Sequence, residues 1–154
     1  MFLYYWLLTA LLALAPQAGM SQIPEDGLNT AEKAQLEKEE KIDNRIKIYT
    51  GASIRWHSAI RRNVTTDDYD ETPEMLKAWT NLLMASLKDI DEHMQRKKKS
   101  RALIQLEIQL RKEISEMQDF KLKAPVELQE DFEKWAASAE AVHKKFVDIL
   151  FSRE

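Results

Sequence analysis

The sequence predicts an all-α fold, an antiparallel helical bundle, and three observations predict it. Apolar side chains recur at alternating steps of three and four residues over long runs, the spacing of one helix face. Glycine and proline are scarce, three and four in 154 residues, so little interrupts a helix. No stretch alternates apolar and polar residues as a half-buried strand does. Four helices of matched length are the favoured division. Three helices, one of them long and central, are the alternative.

Residues 1–21 contain no side chain that is charged at neutral pH, and residues 2–15 are apolar but for Thr9. That run has the length of a signal-peptide core and falls short of the ~20 residues a membrane-crossing helix needs. Gly19 and Ser21 offer small side chains for a cut before Gln22, and Ala18 offers an alternative cut. The expectation is an exported protein, periplasmic or secreted after cleavage. Residues 22–28 follow as a polar leader with Pro24 and Gly27, and 29–152 form one helical domain.

Asn29 or Thr30 can cap the first helix, with Glu32 placed to complete a capping box with Asn29. Ile42, Ile46, Tyr49, Ser53, Trp56 and Ile60 form its heptad seam, giving one helix from 29 to about 62. Gly51 costs such a helix about 1 kcal/mol relative to alanine and suggests a close helix approach or a small kink. Residues 63–71 read as a loop carrying the glycosylation sequon Asn63-Val64-Thr65. Thr72-Pro73-Glu74 restarts a helix, followed by Leu76, Trp79, Leu83, Leu87, Ile90 and Met94. The basic run Arg96, Lys97, Lys98, Lys99, Ser100, Arg101 comes next. Beyond it Leu103, Leu106, Leu110, Ile114 and Met117 resume the stripe out of phase. One helix over 73–120 would reach about 70 Å, far beyond its neighbours. The expectation is therefore a break near 98–100, with Ser100 capping the next helix. Ala124-Pro125 ends that helix, and Leu128, Phe132, Trp135, Ala139, Val142, Phe146 and Ile149 mark the last one.

Composition narrows the chemistry. Without cysteine there are no disulfides, thiolate nucleophiles or cysteine zinc sites. A net charge of −3 gives no field to attract nucleic acid, so none is expected as a partner. No nucleophile elbow, no H-E-x-x-H and no glycine-rich phosphate loop is present, so no catalytic residue and no cofactor is expected.

Two clusters remain as candidates. His57, His93 and His143 fall on three helices, and Glu140 with His143 makes an E-x-x-H pair, the ligand unit of carboxylate-bridged metal bundles. The second such unit is missing, and the expectation is no metal, with these four residues as the candidates. Arg96, Lys97, Lys98, Lys99 and Arg101 are the candidates for contact with anionic lipid, and a solvated helix end is the simpler reading. Trp56, Trp79 and Trp135 sit on seams and read as core.

Residues 41–49, 98–103 and 123–128 (KIDNRIKIY, KKSRAL and KAPVEL) resemble exported all-helical proteins of bacteria. The likeness spans about residues 30 to 150. It implies a periplasmic or secreted setting and carries over no catalytic or binding residue. The expected function is that of a non-enzymatic bundle of the cell envelope acting by contact with a protein partner. Two alternatives stand beside it: a small-ligand or metal carrier with a site in the bundle core, and a peripheral membrane binder using 96–101.

Overall fold

The computed structural model describes residues 22–95 and 99–152. The predicted signal segment, 1–21, and Arg96, Lys97 and Lys98 lie outside the described residues. Among the described residues there are five α-helices and no strand: α1 Thr30–Lys38, α2 Ile42–Thr66, α3 Thr72–His93, α4 Arg101–Lys123 and α5 Val126–Phe151. The molecule is an all-α bundle, and the expected count of four helices is corrected to five.

The extra helix arises at the start. The segment expected as one helix from 29 to 62 breaks at 39–41. Between Leu36 and Ile42 no side chain is apolar, so nothing there anchors a continuous helix to the core. Arg45 completes the break. Its Nη1 donates to the carbonyls of Leu36 at 2.6 Å and Glu39 at 3.0 Å, oxygens that a continuous helix would give to backbone N–H groups. At the other end of α1 the capping box forms as expected: Asn29 Oδ1 accepts from the Glu32 N–H, and Glu32 accepts from the Asn29 N–H, both at 2.8 Å.

Residues 73–120 are two helices. Ser100 caps α4, its hydroxyl oxygen accepting from the Leu103 N–H at 3.1 Å. The loop expected at 63–71 is shorter than its composition suggests, because α2 runs through Thr66 before Asp67 turns the chain with φ 52°. Thr65 and Thr66 fit a helix by donating to the carbonyls of Arg61 and Arg62, each at 2.8 Å. Asn63 is therefore helical, and its amide donates to Thr72 Oγ1 at 3.1 Å. The sequon lies on a helix and not on a loop.

The four long helices form two antiparallel hairpins, α2–α3 and α4–α5. The hairpins dock side by side, α2 on α4 and α3 on α5, which leaves α2/α5 and α3/α4 on the diagonals. Across this junction the helices run parallel: Asp43 meets Ser100, and Ser53 meets Glu113 farther along both helices. The expected, mostly antiparallel arrangement thus describes each hairpin, while between hairpins the neighbouring helices run parallel. At the centre Trp79 and Trp135 meet across the junction with ring centroids 4.3 Å apart. Ile46, Ile60, Leu83, Phe132 and Phe146 are buried in the same core.

Residues 22–28 dock on this frame. The Gly27 carbonyl accepts from Trp56 Nε1 and from Arg55 Nη2, both at 2.8 Å, and Asn81 donates to the Glu25 carbonyl at 2.7 Å. Gly27 has φ +74°, and a Cβ there would lie 2.5 Å from the Ala78 carbonyl oxygen, so glycine is required twice over. Gly51 is the opposite case. Its missing Cβ would meet nothing within 4 Å, so of the close helix approach or small kink expected at this residue the close approach does not occur.

Candidate functional site

The three histidines do not converge. His143 Nε2, on α5, lies 2.7 Å from Glu107 Oε1 on α4. Its E-x-x-H companion Glu140 is exposed and takes no part in that contact. His93, largely exposed at the end of α3, pairs with Asp89 one turn earlier, Nδ1 to Oδ1 at 3.0 Å. His57 is buried on α2, stacked on Phe120 with ring centroids 5.7 Å apart. Its Nε2 is 3.1 Å from Glu116 Oε2 but out of line for a hydrogen bond. Burial pushes the His57 imidazole below its ordinary value, over the opposing pull of Glu116. Among the described residues no group of three or more histidine and carboxylate side chains is placed to hold a metal ion. Each histidine has a carboxylate of its own instead.

Of the basic run, Lys99 and Arg101 are described and exposed. Lys99 borders an open cleft of about 700 Å³ with Lys41, Asp43, Lys47 and His93. Cations and carboxylates are mixed on its walls, and Asp43 is engaged by the Ser100 hydroxyl at 2.7 Å.

Two buried polar clusters emerge that the heptad reading did not single out. The first joins three helices at one end of the bundle. Asp89 Oδ2, on α3, accepts from Arg45 Nε and Nη2, each at 2.8 Å, and from the Tyr49 hydroxyl at 2.6 Å. Burial acts to raise the Asp89 carboxyl, but the hydrogen bonds from Arg45 and Tyr49 hold it below the usual carboxylate range. The same arginine closes α1, so this cluster ties three helices to one guanidinium.

The second cluster lies on the junction between hairpins. Glu113 of α4 has no exposed surface. Its Oε2 accepts from the Ser53 hydroxyl of α2 at 2.8 Å, and its Oε1 from Gln109 Nε2 at 2.9 Å. Ser53 in turn accepts from the Trp79 indole N–H of α3 at 2.9 Å. Among the described residues no cation is bonded to this carboxyl. Burial pushes it up to about 7, over the opposing hydrogen bonds from Gln109 and Ser53. The signal was present in the sequence. Steps of 3, 4, 3, 4 and 3 from Leu103 run through Leu106, Leu110, Glu113, Met117 and Phe120, all of them buried. Reading Ile114 as the seam residue followed hydrophobicity and lost the register.

The outer surface keeps several large apolar side chains in water. On α4, Ile104 is 37% and Ile108 50% exposed, one turn apart on one face, and Ile54 on the adjoining α2 is 42% exposed. Leu122 and Val126 stand out farther, at the α4–α5 turn.

Comparison with protein-family models, with curated proteins and with solved structures gives no match to this chain.

Proposed function

We propose that this chain is an exported helical bundle of the bacterial cell envelope that acts by protein contact and not by catalysis. The observation that supports it most is the outward face of α4. Ile104 and Ile108 present aliphatic surface on a helix whose inner face is already filled, and such surface gains free energy only when a partner covers it. The chemistry-bearing side chains support the same reading: His57, His93 and His143 are each held against a carboxylate within the fold. The export part of the proposal rests on the apolar, uncharged residues 1–21.

The test is site-specific photo-crosslinking in the producing cells. A photoreactive residue at Ile108 is expected to give a discrete adduct of higher mass. The same probe at Lys145, exposed on α5, serves as the control. Adding Ile104→Glu is expected to weaken the Ile108 adduct. If no outward position of α4 yields an adduct, the contact reading is wrong. A stoichiometric metal in the purified full chain would put the carrier reading in its place. Sedimentation with anionic liposomes, lost when Lys97, Lys98 and Lys99 become Glu, would favour the membrane reading.

A further inference from the structure

Glu113 is the residue whose placement asks most of the fold. It holds a seam position on α4 whose other members, Leu103, Leu106, Leu110, Met117 and Phe120, are all apolar. An ionised carboxylate there would face two neutral donors, Ser53 and Gln109, and no bonded cation. Two neutral hydrogen bonds replace only part of the hydration a carboxylate loses on burial. A protonated carboxyl fits the same heavy-atom positions. Its O–H can donate to Ser53 Oγ, which has two lone pairs and a hydroxyl hydrogen free to turn. The groups around it do not cancel the charge. On α4, Lys112 and Glu116 flank it with opposite signs. From α2 come Ser53 and, beyond it, His57 and Arg61, both directed at Glu116. The indole of Trp79 arrives from α3 through Ser53. Between the Lys121–Glu133 and Glu107–His143 contacts, α5 brings up Trp135 and Ala139, which do not titrate.

We propose that Glu113 is a proton-operated latch between the two hairpins: as the neutral acid it holds α4 to α2 through Ser53, and on losing its proton it loosens that junction. The proton balance is simple, one proton passing from the carboxyl to water. The direction follows from linkage. A carboxyl held above its unfolded value of 4.5 stabilises the fold fully below that pH, and the contribution is lost as pH rises through about 7. His57 works the other way: its neutral form stabilises above 6.5, and that contribution is lost as pH falls. A wild-type profile alone would mix the two, so the comparison must isolate Glu113.

The experiment is equilibrium unfolding of the full chain and of Glu113→Gln, a neutral side chain of the same shape, from pH 4.5 to 8.5. The wild-type folding constant, divided by that of the variant, is expected to fall on the order of a hundredfold by pH 7.5 and to level off above. A ratio that stays constant overturns the proposal. Should Glu113→Gln fail to fold, the wild type still decides. The Glu113 carboxyl carbon, followed by NMR, must titrate near neutrality, and a midpoint near 4.5 overturns the idea. Native-state amide exchange supplies the mechanical readout. Corrected for intrinsic rates, exchange around Ser53 and Glu113 must accelerate across the same window, and protection independent of pH would leave a buried acid and no latch.

Discussion

Arg45 shows how much one side chain can organise. One guanidinium nitrogen ends α1, and the others hold Asp89 beside Tyr49. Replacing it with methionine, Arg45→Met, keeps the length but leaves Asp89 with Tyr49 as its main donor. The expected loss is about 2–3 kcal/mol, below the range for fully buried pairs because Arg45 is partly exposed. Denaturant unfolding measures the loss, and faster amide exchange in α1 would show that the helix end had opened. The Asp89 part of that stability is present above about pH 3.8 and is lost as pH falls further, so the variant should also show a shallower acid transition. The two glycines make an opposed pair. Gly51→Ala adds a methyl group to an exposed helix interior with nothing near it and is expected to gain about 0.5–1 kcal/mol. Gly27→Ala forces a side chain into a left-handed conformation against the Ala78 carbonyl and is expected to lose about 2 kcal/mol or more. Thermal unfolding reads both, and the signs must differ.

Helices were legible from their seams, and their ends from capping chemistry. Tyr49, Ser53, Trp56 and Ile60 on α2, and Phe132, Trp135, Ala139, Val142 and Phe146 on α5, are buried as their spacing requires. Asn29 and Ser100 cap as their side chains allow. Breaks and registers were harder, because they depend on partners distant in sequence. The end of α1 is hinted at locally only by the apolar gap at 37–41, and it is set by Arg45, six or more residues downstream. Glu113 was passed over because a charged residue on a seam looks like a register error until Ser53, sixty residues away, supplies its donor. Thr65 and Thr66 looked like loop residues because hydroxyl-to-carbonyl bonds within a helix leave no trace in composition. None of the metal candidates gathered, since residues on neighbouring helices share a site only when they share a height. Ser53→Ala tests α2 at this level. It leaves both Glu113 and the Trp79 indole without their partner, and about 1–3 kcal/mol should be lost below pH 7. Urea midpoints at pH 6 measure it, and a neutral result would mean that water replaces the hydroxyl.

At the scale of the whole molecule, the two hairpins determine which contacts matter. Four of the contacts described above lie where they meet: Trp79 against Trp135, His57 against Phe120, Ser53 against Glu113, Asp43 against Ser100. Each hairpin closes through a short turn, so its contacts form early and at low entropic cost. The junction forms only when both halves exist. The end of α3 and the start of α4 lie on a diagonal of the bundle, and those two helices do not pack on each other. An interface between hairpins linked in sequence at one place only is, in effect, a dimer interface that happens to lie within one chain. Two copies can therefore complete each other by exchanging hairpins, making every native contact twice and no new one. Deleting residues from the link between α3 and α4 should favour such an exchanged pair over the single-chain bundle, visible as a doubled mass in solution.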